Sequence, residues 1–281
     1  MAKKSTAARS PAKKRPAAKS GGPGTGTVER AIHIMRYFAT NPEVTIKELS
    51  TALHMSPSTC HRLLDLLAAE GIVEHVKSRR SYQIGMEYGR LAAQVQARNT
   101  YQKMARPLLR EMVNYYNETC VFSLYIAASR SLIFAEKAES SRPLRYQVPL
   151  NEPMRVFWGA TGRAVYANLP DDERRAIYDT EGPAPGSGEP LPTWNEIEAE
   201  VKKIRAQGFV MTRGQKTPGS VGISAPVFNA ENNVIGSVGF TIPQSQVGAY
   251  DVDDMGRYVA RKAVELSTIF GATLGHSTAA E

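Results

Sequence analysis

The sequence predicts an α+β chain: an N-terminal winged helix-turn-helix, a helical linker and a C-terminal sensor-type domain. Three observations carry that expectation. Residues 45–85 run helix, tight turn, helix and short hairpin. The hairpin tip, Lys77-Ser78-Arg79-Arg80, carries three cations in four residues. From residue 118 onward, short β-branched runs alternate with stretches of helical periodicity.

The elements follow in order. Residues 1–26, rich in Lys, Ala, Ser, Pro and Gly, lack the apolar content to build a core and read as a disordered basic tail. Residues 1–27 hold seven Lys/Arg and no acid, and the remaining 28 basic and 27 acidic residues nearly cancel. The net charge of +8 is therefore a property of the tail, and the body of the protein is close to neutral. The tail has no hydrophobic stretch for a signal peptide or membrane anchor, and its Lys-Pro runs make a poor amphipathic transit helix. A cytoplasmic protein with no membrane partner is expected.

Residues 27–86 read as the winged domain. Val28, Ala31, Ile32, Met35 and Phe38 follow helical spacing and predict the core face of a first helix. Thr45-Ile46-Lys47-Glu48 is a capping box: the Thr45 hydroxyl accepts the Glu48 amide proton while the Glu48 carboxylate reaches back. Ile46, Leu49 and Leu53 line one face of the helix it starts. After a break at His54-Met55, Ser56-Pro57 supplies an N-cap and a proline at the first position of the next helix. That helix runs to about Glu70, where Gly71 stops it.

The second of these helices has two sides. Cys60, Leu63, Leu64 and Leu67 form an apolar row, while Ser58, His61 and Arg62 lie opposite with Thr59 on the flank. A helix entering the major groove presents its N-terminal residues to base edges, and Arg beside Ser/Thr suits guanine and phosphate. An ordinary surface helix could carry the same residues. The strands 72–76 and 81–84, around a tip of three cations, make a wing able to meet phosphates or a minor groove, and the order helix, helix, wing favours duplex DNA. The candidate DNA-contacting set is Thr45, Ser56, Ser58, Thr59, His61, Arg62, Lys77, Arg79 and Arg80.

Residues 87–117 are helical in composition, with Pro107 able to kink or restart the second stretch, and read as a linker where subunits can pair. In the domain over 118–275, strands are predicted at 119–127 and 131–138, followed by an extended piece at 144–148. Gly159-Ala160-Thr161-Gly162 opens a helix, and another runs from Pro170 to Tyr178. After a Gly/Pro loop over 181–192, Thr193 and Glu196 form a second capping box for a helix to Gln207. Strands at 209–212, 220–228 and 234–242, then a helix over 252–270, complete the domain, and residues 276–281 are expected to fray.

Several classes are excluded. The second domain has no histidine except His276, so a Ser-His-Asp or Cys-His arrangement is hard to build there. Gly-x-Ser-x-Gly and phosphate-binding P-loop patterns are absent. Asp171, Asp172, Glu173, Asp253 and Asp254 sit at predicted helix starts, where they suit the helix dipole. Neither an enzyme, a metal site nor a cofactor is expected. Cys60 and Cys120 fall in different predicted domains and read as buried apolar residues, which fits a reducing compartment. The main alternative is an architectural, nonspecific DNA-binding protein driven by the basic tail through counterion release.

From about Val28 to Ala272 the chain resembles the isocitrate-lyase-regulator (IclR) family of transcription factors. The stretches that carry the resemblance are Ile46-Lys47-Glu48-Leu49, Ser58-Thr59-Cys60-His61-Arg62-Leu63-Leu64 and Tyr82-Gln83-Ile84-Gly85 in the first part. In the second they are Ala160-Thr161-Gly162-Arg163-Ala164, Ile204-Arg205-Ala206-Gln207-Gly208-Phe209 and Ile223-Ser224-Ala225-Pro226-Val227-Phe228. The resemblance implies a GAF-like effector domain, palindromic operators bound by a homodimer or homotetramer, and repression or activation tuned by a small-molecule effector. Its effector positions correspond here to Tyr146, Met154, Ala160, Thr161, Thr212, Gly222, Gly239 and Thr241. Ala160 and Thr161 would offer amides at a helix start to a carboxylate. Glycines at 222 and 239 open space, and Phe157, Trp158 and Tyr146 add aromatic surface, so a larger or aromatic effector is expected, with plain core packing the equal alternative for Phe157 and Trp158.

Overall fold

The structure, a computed structural model, describes residues 26–98 and 100–273. The expected basic tail, but for Gly26, and the end at 276–281 lie outside them. The described residues form two compact units that divide after Arg98.

The first unit comprises α1 (Thr27–Thr40), β1 (Glu43–Thr45), α2 (Ile46–Ala52), α3 (Pro57–Ala69), β2 (Val73–Val76), β3 (Ser81–Ile84) and α4 (Met86–Arg98). Both caps form as their sequences dictate. Thr45 N donates to Glu48 Oε2 at 2.8 Å while Glu48 N donates to Thr45 Oγ1 at 3.3 Å. Ser56 Oγ accepts from Thr59 N at 3.2 Å, with Pro57 at the first helical position. Such caps contribute about 1 kcal/mol each. Beyond α3, Gly71 takes the left-handed backbone (φ 69°) that ends the helix and starts the wing.

The strands β2 and β3 are those expected, and β1 is an addition. It pairs antiparallel with β3, Thr45 opposite Ser81 and Val44 opposite Tyr82, giving the order β1-β3-β2. Three residues are too short to show a period in the sequence. The core gathers Ile34, Phe38, Val44, Leu49, Cys60, Leu63, Leu64, Val73 and Tyr82. A buried Leu or Ile contributes about 1.5–3 kcal/mol relative to exposure. The expected core face of α1 is corrected here: Val28 is 73% and Ile32 43% exposed, and Ile34 is fully buried with Phe38. The helix carries two overlapping apolar rows that share Phe38, and the core of this unit takes the one through Ile34.

The second unit comprises α5 (Thr100–Tyr116), β4 (Thr119–Ile126), β5 (Ser131–Ala138), β6 (Met154–Arg155), α6 (Ala160–Tyr166), α7 (Asp171–Tyr178), α8 (Trp194–Gln207), β7 (Val210–Arg213), β8 (Ser220–Phe228), β9 (Val234–Pro243) and α9 (Val252–Ile269). Its strands form an antiparallel sheet in the order β6-β5-β4-β9-β8-β7. Side chains alternate across it. Cys120, Phe122, Val221, Ile223, Ala225, Val238, Phe240 and Ile242 share a core with α5 and α9. The intervening β8 and β9 residues, Gly222, Ser224, Ser237, Gly239 and Thr241, face the α6 side with small side chains. Ser237 Oγ donates to Thr161 O at 3.0 Å and pairs with Ser123 Oγ at 2.9 Å, which fastens α6 to the sheet.

The second capping box forms at Thr193 and Glu196, and acids occupy the first turns of α7 and α9 as expected. Residues 144–148 join no ladder, and the edge strand is Met154–Arg155 instead. Of the expected linker 87–117, α4 falls in the first unit, while α5 runs through Pro107 and buries Ala105, Leu108, Leu109 and Met112 in the core of the second. Cys60 and Cys120 are buried free thiols.

Candidate nucleic-acid interface and candidate effector cavity

The interface is built on α3. Burying Cys60, Leu63 and Leu64 turns Ser58, His61 and Arg62 outward into solvent, with Thr59 half-buried. The cap organises the hydroxyls: Ser56 Oγ lies 3.1 Å from Ser58 Oγ and 2.8 Å from Thr59 Oγ1. His61 Nδ1 is 2.8 Å from Asp65 Oδ2 one turn on, which fixes the ring on the exposed face. Arg62 has no ion-pair partner among the described residues. Thr45 is engaged by Glu48, its hydroxyl donating to Oε2 at 2.9 Å, so it holds α2 in place at the interface.

Lys77 and Arg80 stand exposed at the wing tip, with Arg80 in the left-handed region (φ 53°). Arg79 is different. Its Nη1 donates to Glu43 Oε2 at 2.7 Å, and Ser81 Oγ donates to Glu43 Oε1 at 2.5 Å. The Ser81 hydrogen bond first, then Arg79, hold the Glu43 carboxyl below its ordinary range. Glu43 on β1 thus anchors the wing base and neutralises part of Arg79. Only the β1–β3 pairing brings these side chains together, so sequence spacing of 36 residues gave no sign of it.

In the second unit a cavity of about 320 Å³ opens among the 146–154 segment, the start of α6, and the ends of β7, β8 and β9. It lies within the size range of small-molecule sites. Tyr146, Met154, Ala160, Thr161, Thr212, Gly222 and Thr241, scattered over almost a hundred residues of sequence, all line it. Gly222 opens the wall beside α6: a Cβ there would lie 3.0 Å from Ala160 Cβ.

Two expectations are corrected. Gly239 does not line the cavity; a Cβ there would collide with the Ile223 carbonyl oxygen and the Ser224 side chain, so glycine is needed for strand approach. Of the two readings for Phe157 and Trp158, core packing holds and the aromatic wall does not, because both are buried in the core around α6 and α8. Phe157 meets Trp158 edge-on at 5.0 Å and the Arg163 guanidinium at 4.1 Å, and Trp158 Nε1 donates to Gly182 O at 3.0 Å. The aromatic surface comes from Tyr146 and from Phe134 on β5.

The 214–219 loop between β7 and β8 supplies lining residues that the sequence did not single out: Gln215, Lys216 and Thr217. Gln215 Oε1 accepts from Gly159 N at 3.4 Å just before α6. The Lys216 amine lies against the Met154 sulfur and 5.7 Å from the centre of the Phe134 ring. Burial pushes its pKa down from 10.5 to about 8, and no carboxylate pairs with it among the described residues. Among those residues there is also no cluster of metal-ligating side chains, and no helix is long and apolar enough to cross a membrane.

A winged helix-turn-helix joined in one chain to an α+β domain with a ligand-sized cavity defines a one-component transcriptional regulator. Family comparison agrees: the IclR helix-turn-helix domain matches residues 27–77, and the bacterial transcriptional regulator IclR C-terminal domain matches residues 93–268. The chain belongs to the IclR family, with a DNA-binding domain followed by an effector domain. It is 26% identical over 245 residues to the HTH-type transcriptional regulator BhcR of Paracoccus denitrificans, covering 87% of each chain. Its fold is similar to that of a chain from Silicibacter sp. TM1040 assigned to the ICLR regulators (TM-score 0.77, 24% identity, 89% and 98% covered). It is also similar to an IclR homolog of Microbacterium hydrocarbonoxydans complexed with 4-hydroxybenzoate (TM-score 0.71, 17% identity, 86% and 98% covered). The curated relative is named a regulator of transcription, not an enzyme.

Proposed function

We propose that this chain binds a palindromic DNA operator sequence-specifically and that a small organic acid, held in the cavity of the second unit, modulates that binding. The observation that carries the reading is the two-sided α3: its apolar row is consumed by the core, which leaves Ser58, His61 and Arg62 facing outward beside a basic wing. In this reading Arg62, Ser58 and His61 meet base edges, with Thr59 and Ser56 at the phosphates flanking the start of α3 and Thr45, held by Glu48, at the start of α2. Lys77 and Arg80 meet phosphate on the adjoining turn, and Arg79 contributes less because Glu43 holds it.

The effector site comprises Tyr146, Met154, Ala160, Thr161, Thr212, Gly222 and Thr241. Support for an aromatic acid comes from the Phe134 and Tyr146 surface and from the 4-hydroxybenzoate in the Microbacterium homolog. The protein acts in the cytoplasm as a homodimer or homotetramer. Leu91 and Val95, 42% and 68% exposed and one turn apart on α4, support pairing with a second copy. Ligand preference for one arrangement of the paired winged domains then shifts the population that fits the half-site spacing.

The test is selection of DNA from a random-sequence pool by the purified full chain. Enrichment of a single inverted repeat is expected. Recovery of sequences with no common pattern, at an affinity set only by salt, would replace this reading with the architectural one.

A further inference from the structure

Among the described residues lining the cavity, Lys216 is the sole cation, and it is placed there by its loop. Gly214 and Gly219 take left-handed backbone (φ 62° and 71°) at either end. Gly186 N donates to Gln215 O at 2.8 Å, Tyr146 Oη donates to Pro218 O at 3.0 Å, and Gly214 N donates to Ser220 O at 2.8 Å. The loop is thus tied on both flanks and across its base, so its backbone keeps Lys216 in the cavity lining. The amine lies against the Met154 sulfur and 5.7 Å from the centre of the Phe134 ring, whose weak cation–π attraction does not replace a counter-ion, in a cavity whose wall includes Val148, Pro149 and Pro153. An unpaired charge in such a setting is costly unless something compensates it.

We propose that the Lys216 amine is the counter-charge of the effector, so that the cavity selects an organic monocarboxylate whose carboxylate meets Nζ while its apolar body lies on Phe134, Met154 and the proline wall. This rests on the reading of the cavity as the effector site. One cation matches one negative charge. A second carboxylate would find no further cation in the lining and would face Glu152. Inorganic phosphate shares the charge but lacks an apolar body to cover Phe134, Met154 and the proline wall. The lowered pKa is the signature of the missing partner: an anion beside the amine restores its charged form, so binding draws a proton wherever the free amine has lost one.

The experiment is calorimetric titration of the full chain with benzoate, benzamide and inorganic phosphate at about pH 7, below the amine's pKa of about 8. Benzoate is expected to bind, with benzamide and phosphate each weaker by about tenfold or more. Lys216→Met is expected to weaken benzoate by about tenfold or more, and Lys216→Arg to retain most of the affinity. A pH series on the wild-type chain needs no variant to fold. The other titratable groups in the lining are Glu152 and Tyr146. Benzoate affinity should be flat below about pH 8 and fall by about tenfold per unit above it.

Absence of benzoate binding, equal binding of benzamide, or unchanged affinity in Lys216→Met overturns the assignment. The regulatory reading is scored separately by operator binding in the same samples. Benzoate bound through Lys216 with no probe altering operator affinity upholds the charge assignment and removes the regulatory role. A ligand that shifts operator affinity equally in wild type and Lys216→Met does the reverse.

Discussion

Replacing Lys216 by methionine should stabilise the unliganded protein at neutral pH, although it deletes a residue of the proposed binding site. The amine's pKa is about 8 in the folded chain against an ordinary 10.5. At about 1.36 kcal/mol per pH unit, that difference bounds the penalty of the buried ammonium at about 3 kcal/mol. The side chain is partly exposed, so solvent screening reduces the expected gain to about 1–2 kcal/mol. The sign follows from proton counting. Below about pH 8 both folded and unfolded chains carry the charged amine, and the folded state bears the full desolvation penalty. Between about 8 and 10.5 the unfolded chain binds a proton that the folded chain does not, so wild-type stability rises with pH. Above 10.5 both amines are neutral and the penalty is gone.

The advantage of Lys216→Met should therefore be largest near neutrality and shrink through that window. Thermal unfolding of both proteins from about pH 6.5 to 9.5 reads it directly, as a melting temperature a few degrees higher for the variant at the acid end, at about 2–4 °C per kcal/mol for domains of this size. A variant less stable than wild type at neutral pH would refute the reasoning, because it would mean that the amine has a stabilising partner when no ligand is present.

Other consequences are sharper in sign than in size. Deleting residues 1–26 should flatten the salt dependence of DNA binding while preserving operator preference, as read by anisotropy titrations at several salt concentrations; loss of all binding would favour the architectural alternative. Glu43→Gln should release Arg79 to phosphate and steepen the slope of log affinity against log salt by about 0.9. An unchanged or shallower slope would mean that Arg79 stays clear of DNA even when freed. Gly239→Ala should destabilise the second unit by about 1–3 kcal/mol, because the Ile223 carbonyl oxygen and Ser224 occupy the space of its methyl group. A urea midpoint equal to wild type would show that the strands part readily there.

What the sequence discloses is local. Thr45 with Glu48, Ser56 with Pro57, and Thr193 with Glu196 act within one helical turn, so the start of each helix is written in adjacent residues. Strand alternation at 220–228 and 234–242 is equally legible, since each residue declares its own face. What depends on tertiary placement is not. The core row of α1 is chosen by its neighbours from two apolar rows. Glu43 finds Arg79 and Ser81 only through the register of β1 on β3. Phe157 and Trp158 stand next to the effector positions in sequence, yet the short α6 buries them on its other side. Lys216 lies in a Gly-Gln-Lys-Thr-Pro-Gly stretch that reads as an ordinary solvated turn, and only the folded loop carries its amine over the cavity.

The central claim is that α3 reads bases while the wing holds phosphate, and the most direct measurement compares operator with random duplex for Arg62→Ala and Lys77→Ala at one salt concentration. Arg62→Ala should lower the ratio of the two affinities by about 1–3 kcal/mol. Lys77→Ala should weaken both duplexes alike and leave the ratio in place. A specificity ratio untouched by Arg62→Ala, or one lost with Lys77→Ala instead, would contradict the account.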